Sequence, residues 1–258
     1  MTINHFERLG LKPHISNSQL RMFRNEPMAF IGKYMLGAPD EAGPGAWRGL
    51  AVEVGLDRML FGSDKHTATL AMFAQWDELC QGEINDDTDK ERGALNNFLF
   101  QACDAFADSP VPLQRQARVE IQIPGIAVPL IGFADWVWAG KEGDKGWGSD
   151  LKTTWRIPTT GPDPDHVEQV ATYSRHFGVP FELVYCSPRK WTRYTIAEAT
   201  ANEAWERVVE TAHALQSLLA KVEDAHDALS LFSSNYSSYY FKPAMVAALR
   251  AAKARRLL

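Results

Sequence analysis

Cysteine is scarce: the 258 residues hold three, Cys80, Cys103 and Cys186, and they lie far apart in sequence. That spacing excludes a disulfide framework and a CxxC metal ribbon, and it points to a reduced cytoplasm. Long apolar runs are also missing. The first residues, Met1-Thr2-Ile3-Asn4-His5-Phe6-Glu7, hold no apolar core of signal-peptide length. No stretch reaches the roughly 18 apolar residues of a membrane span, so an intracellular chain with no membrane partner is expected. A basic excess is lacking too. The formal net charge is -5 at pH 7, which disfavours a non-specific coat on nucleic acid, because phosphate contact wants positive surface. An enzyme needs only a local basic groove. Candidates are Arg21, Arg24 and Lys33, then Arg189, Lys190 and Arg193, then Arg250, Lys253, Arg255 and Arg256, though each cluster taken alone reads first as a plain solvated face.

What is present is an ordinary globular balance, 45% hydrophobic and 23% charged, enough for one sizeable core. A single domain over 1–258 is expected. Residues 1–14 read as an irregular lead-in. Ser16 caps a helix that Pro27 kinks and Gly37 ends, giving N-terminal helices over 15–37. From Ala46, the apolar residues Trp47, Leu50, Ala51, Val54, Met59 and Phe61 predict a helix buried on much of its circumference. Leu70, Phe73, Trp76 and Cys80 mark the next helix. Thr88 and Glu91, at capping-box spacing, open another through Leu95, Phe98, Leu99, Ala102 and Phe106. The run Asp86-Asp87-x-Asp89 lacks the glycine and distal glutamate of a calcium loop and reads as a solvated helix start.

Beyond Pro112 the period changes from helical to alternating. Strands are predicted over 114–123, 128–138 and 146–154, with Gly140 to Gly146 turning the second into the third. Asp165 caps a helix closed by Gly178. Two more strands, 182–186 and 191–196, meet at Ser187-Pro188-Arg189-Lys190, and a helical region runs over 197–258. The tyrosine-rich stretch 233–240 reads as a loop that either stacks on bases or packs on the domain, and packing is the reading preferred. The fold class expected is α/β, a central mixed β-sheet flanked by helices, with a core over about 46–196 and helical additions at both ends.

The chemistry concentrates in Ser149-Asp150-Leu151-Lys152-Thr153-Thr154. On a strand, Asp150 and Lys152 share a face. Folding Ile131 to Trp138 back on that strand lays Asp135 beside Asp150, so two carboxylates and an ammonium converge. Paired carboxylates repel unless a divalent cation neutralises them, and hard oxygen ligands select Mg²⁺ or Mn²⁺. Glu53, inside an apolar helical run, is costly unless paired or bound to metal.

Gly-x-x-Asp, a short turn, Asp-x-Lys and then Gln169-Val170-Ala171-Thr172-Tyr173 resemble the PD-(D/E)XK nuclease superfamily in its RecB-like and lambda-exonuclease-like branches. The opening Ile15-Ser16-Asn17-Ser18-Gln19-Leu20, with Asn25-Glu26-Pro27 and Tyr34-Met35-Leu36-Gly37, looks like the first helix of that branch. Arg48-Gly49-Leu50-Ala51-Val52-Glu53 looks like its next helix, with glutamate where many members carry histidine. The likeness spans about Ile15 to Ile196. It implies a restriction-endonuclease-like core and a metal held by Glu53, Asp135, Asp150 and the carbonyl of Leu151. Lys152 would orient the attacking water or stabilise phosphoryl charge, and Gln169 and Tyr173 would hold Lys152 or the strand backbone. Some RecB-like members carry an iron-sulfur cluster on four cysteines; three scattered ones do not supply that pattern, and no cluster is expected.

The function this implies is an Mg²⁺- or Mn²⁺-dependent deoxyribonuclease, an exonuclease acting in DNA recombination, repair or phage DNA processing. DNA is the implied partner. Likeness to lambda exonuclease implies a homo-oligomer, a trimer by analogy, or a single-strand annealing or recombination partner. Two other classes stand beside it: a catalytically inactive nuclease-fold protein that binds DNA or a protein, and a metal-free helical interaction protein docking through the tail helix from Pro243 to Leu258.

Overall fold

Alternating and helical apolar periods divide the chain as the elements do. The computed structural model describes residues 4–39, 42–140 and 145–255. In order, these form α1 (His5–Arg8), α2 (Asn17–Asn25), α3 (Pro27–Phe30) running into a π-helical turn (Ile31–Met35), α4 (Pro44–Leu60), α5 (Lys65–Cys80) and α6 (Asp86–Ala105). There follow β1 (Gln114–Ile121), β2 (Leu130–Trp138), β3 (Trp147–Thr153), α7 (Pro164–Phe177), β4 (Phe181–Cys186), β5 (Trp191–Thr195), α8 (Glu198–Lys221), α9 (Ala225–Ser230) and α10 (Pro243–Arg255). The five strands make one mixed sheet in the order β1-β2-β3-β4-β5. β3 runs antiparallel to β2 and parallel to β4, and β5 is antiparallel to β4. The parallel step is the one that needs a crossover, and α7 supplies it.

The chain falls into two compact units. The first comprises Met1–Glu41, Val119–Gly132 and Glu203–Leu258. Its core gathers Phe23, Phe30 and Ile31, Ile126 and Leu130, Leu215 and Leu219 of α8, and Met245 and Leu249 of α10. Tyr240 is buried there, so the tyrosine-rich stretch packs in part on its own unit, while Tyr239 stays exposed.

The second unit comprises Ala42–Arg118 and Phe133–Asn202, and its core joins α4, α5 and α6 to the sheet. Trp47, Leu56, Met72, Trp76, Phe98 and Leu99 meet Trp136, Trp138, Leu151 and Val184. Gly55 sets how closely α4 approaches: a methyl there would stand 3.0 Å from Leu99 and 3.1 Å from Met72. On β3, a methyl on Gly148 would lie 2.2 Å from the ring of its partner Phe181, so glycine lets that ring lie across the strand.

Several local expectations are corrected. The lead-in holds a short helix, α1, because Asn4 accepts the amides of Phe6 and Glu7. α6 starts earlier than Thr88: Asn85 is the N-cap and Thr88 completes the capping box, while Glu91 lies buried inside the helix. Asp163, not Asp165, caps α7, since Pro164 takes the first helical position and leaves Asp163 extended. On α4 the buried face is Trp47, Ala51, Val52 and Leu56; Leu50 and the C-cap residue Phe61 are exposed, as is Leu70 on α5, where Met72 takes the inward place. Part of the turn from Gly140 to Gly146, and the end of the tail with Arg256, lie outside the described residues.

Candidate active site

β2 and β3 pair with Trp136 opposite Ser149, a register that continues to Asp135 opposite Asp150. The predicted juxtaposition of the two aspartates is therefore present, and both are buried within the second unit. Asp135 Oδ2 accepts the main-chain amide of Leu151 at 2.8 Å, tying the carboxylate of one strand to the backbone of the next. Asp150 is 1% exposed, and neither of its oxygens accepts a hydrogen bond. Its charge is met by Lys152, whose Nζ stands 2.6 Å from Oδ2 on the same strand face.

Lys152 is held from its other side. Its Nζ donates to Gln169 Oε1 at 2.8 Å, and Gln169 Nε2 donates to the Tyr173 hydroxyl at 2.7 Å. Gln169 and Tyr173 are one turn apart on α7 and share a face. Tyr173 is buried, and that burial, with the nearby Asp150 charge, pushes its phenol above the usual range. It stays neutral and serves as a fixed post for the glutamine.

Glu53 stands on α4, partly buried, with its Oε1 accepting from the side-chain amide of Gln116. Burial pushes its carboxyl up to about 7; the Gln116 amide pulls the other way, and the Asp150 charge pushes it further up. Asp135 is raised well above the carboxylate range by burial, then by the charges of Asp150 and Glu53. Three carboxylates thus repel one another around one lysine. Gly49, one turn before Glu53, faces β3, where a methyl would stand 3.5 Å from Thr153 Oγ1.

Hard oxygen donors that are buried, mutually repelling and in part without hydrogen bonds suit a divalent cation such as Mg²⁺ or Mn²⁺. The donors are not, however, drawn together as a ready set. Among the described residues, no three His, Cys, Asp or Glu side chains form a group that could hold a metal ion. The three cysteines are free thiols, and those of Cys103 and Cys186 are raised by burial.

Three features of the surroundings escape a reading of sequence alone. Arg48, 6% exposed, pairs with Glu91 of α6 and donates to Thr153 Oγ1 and O at 3.2 and 3.0 Å. Trp155 Nε1 donates to the other Glu91 oxygen at 2.7 Å. This network clamps the end of β3 just past Lys152. Next, a cavity of about 410 Å³ opens beside Lys152, lined among others by Thr154, Arg156, His166 and Tyr185. His166 Nδ1 lies 2.7 Å from the Tyr185 hydroxyl. The third is Gln116 itself. Of the suggested basic clusters, Arg193 is occupied: it pairs with Glu182 and donates to the carbonyl of Ala105.

No protein-family model matches the chain, and no curated protein matches it at significance. Among solved structures, the crystal structure of a presumed exonuclease from Eubacterium rectale superimposes with a TM-score of 0.55. It covers 85% of this chain and 87% of the other at 14% identity. At that identity the likeness speaks to the fold alone, an α/β arrangement with a five-stranded mixed sheet flanked by helices. A second solved structure, at a TM-score of 0.35 and 16% identity over 71% of this chain and 83% of the other, is too distant to add to this. No helix among the described residues is long and apolar enough to cross a membrane.

Proposed function

We propose that the chain is a divalent-metal-dependent DNA nuclease of the PD-(D/E)XK kind, acting as an exonuclease. The observation that carries the reading is the buried Asp135/Asp150 pair on adjacent strands with Lys152 against it, itself fixed by Gln169 and Tyr173. Each motif is common alone. Their convergence in one unit, on a fold shared with a presumed exonuclease, supports the reading.

In this reading Asp135, Asp150 and Glu53, with the carbonyl of Leu151, would hold Mg²⁺ or Mn²⁺. When bound, such an ion lowers the pKa of water and neutralises phosphoryl charge. The chain's own residues do the rest. Lys152 places a positive charge beside the carboxylates, where a phosphodiester would develop negative charge. Gln169 fixes the ammonium in direction, and Tyr173 fixes Gln169. The clamp of Arg48 on Thr153 holds the strand end on which Lys152 sits. The cavity lined by Thr154, Arg156 and His166 offers room and donors for a substrate phosphate next to that lysine.

One observation favours a second reading, a nuclease fold that binds DNA without cleaving it: no three ligand side chains among the described residues already stand together. A time course on end-labelled linear and on circular DNA, with EDTA, Mg²⁺ or Mn²⁺, separates the two. Metal-dependent loss of the linear substrate with the circle intact is expected. Cleavage of the circle would replace exonuclease by endonuclease, and no cleavage with retained binding would favour the inactive reading.

A further inference from the structure

Two successive residues of β1 reach the same helix, which a regular strand forbids. Arg115 pairs with Asp57 of α4, and Gln116 donates its amide to Glu53, one turn earlier on that helix. Successive strand side chains point to opposite faces. From Ala117 to Glu120 the strand obeys this rule, alternating buried and exposed; before Ala117 it does not. The break has a visible cause. Gln116 has φ +43°, in the left-handed region that non-glycine residues seldom enter. Such a conformation costs on the order of 1–3 kcal/mol and persists where the surroundings over-determine it, commonly at functional sites. Gln116 is exposed, so core packing does not hold it there. What its side chain obtains is the bond to Glu53.

We infer that Gln116 is a positioning residue: the break in β1 turns its amide onto Glu53 and fixes the direction of that carboxylate, the one ligand of the proposed set that comes from a helix. The inference rests on the metal-site reading above. A carboxylate at a metal site is itself usually oriented by a hydrogen bond, and losing such an outer partner typically costs 10–100-fold in metal affinity. Gln116 would be that partner. The amide is suited to it, because it neutralises nothing: it leaves the Glu53 charge available while fixing its orientation.

The test is Mn²⁺ titration calorimetry on four proteins, with melting temperatures taken without metal. The proteins are the wild type, Gln116→Gly, Glu53→Gln and the double variant. Glycine adopts a positive φ without strain, so Gln116→Gly should melt within about 2 °C of the wild type while binding Mn²⁺ about tenfold more weakly. In the Glu53→Gln background the same change should alter affinity less than twofold, because the partner it orients is gone. Gln116→Asn, which also tolerates a positive φ and has an amide one methylene shorter, should show the same loss and serves if the glycine variant folds poorly. Unchanged affinity on losing the Gln116 side chain overturns the inference and leaves the metal site standing. An equal loss in both backgrounds also overturns it, since Gln116 would then act other than through Glu53. A wild type that binds no Mn²⁺ overturns the metal-site reading and this inference together.

Discussion

Lys152 Nζ stands 2.6 Å from an Asp150 carboxylate that is 1% exposed and has no hydrogen bond of its own. A strand spacing of two residues makes this contact, and nothing else offsets the buried charge from the same strand. The contact also explains why the lysine needs a second anchor. An ammonium drawn wholly onto Asp150 would be neutralised there, and Gln169 Oε1, at 2.8 Å, holds it between the two.

Gln169→Leu should therefore release Lys152 toward Asp150. DNA cleavage is expected to slow about 10²-fold, the scale for losing one aligned electrostatic contact, with Mn²⁺ affinity within threefold of the wild type. Tyr173→Phe leaves Gln169 in place and should cost about 1 kcal/mol of stability with a smaller loss of rate. Single-turnover cleavage alongside denaturant unfolding checks both. A larger loss from Tyr173→Phe than from Gln169→Leu would contradict the order of the chain.

Asp135→Asn should raise the melting temperature in metal-free buffer. It removes one of three repelling carboxylates yet keeps an oxygen to accept the Leu151 amide. The same variant should lose Mn²⁺ binding. A lower melting temperature without metal would make Asp135 a structural acceptor only.

The raised carboxyls of Glu53 and Asp135 fix the sign of a pH dependence. Between the ordinary value of 4.5 and about 7, folded Glu53 binds more protons than the unfolded chain does, and Asp135 acts in the same direction. Their contribution to stability is then fully present below the unfolded pKa and is lost as pH rises through the folded one. Without metal, the melting temperature should fall from pH 5 to pH 8, more in the wild type than in a Glu53→Gln/Asp135→Asn double variant. Equal slopes in the two proteins would contradict these shifts.

Arg48→Ala should destabilise the second unit by about 3–5 kcal/mol, because it leaves Glu91 buried without its cation. Urea unfolding measures this. Replacing both partners with apolar residues of similar size should cost less than Arg48→Ala alone. A double replacement that costs more would show that the pair contributes by itself.

Much of this site was legible in the sequence because its parts are local. Strand period two puts Asp150 and Lys152 on one face, antiparallel pairing of two neighbouring strands brings Asp135 alongside, and helix period puts Gln169 over Tyr173. The five strands followed from alternation and turn residues, and the mixed sheet from the helix between the third and fourth; the strand order came only with the structure. What escaped depends on distance or on backbone detail. Arg48 and Glu91 are 43 residues apart and meet only when α4 packs on α6. Leu50 and Phe61 fit an apolar helix pattern as well as Leu56 does, and the direction of approach decides which is covered. Gln116 carries no sign of a positive φ, as a glycine or asparagine would. Asp163 and Asp165 compete for one cap, and the intervening proline settles it.

The most direct measurement is single-turnover cleavage of end-labelled linear duplex at saturating Mg²⁺ by the wild type and by Lys152→Ala. The account predicts metal-dependent cleavage by the wild type, abolished on losing Lys152, with Mg²⁺ affinity nearly unchanged because an ammonium is no ligand for the ion. Cleavage by Lys152→Ala within threefold of the wild type would contradict it.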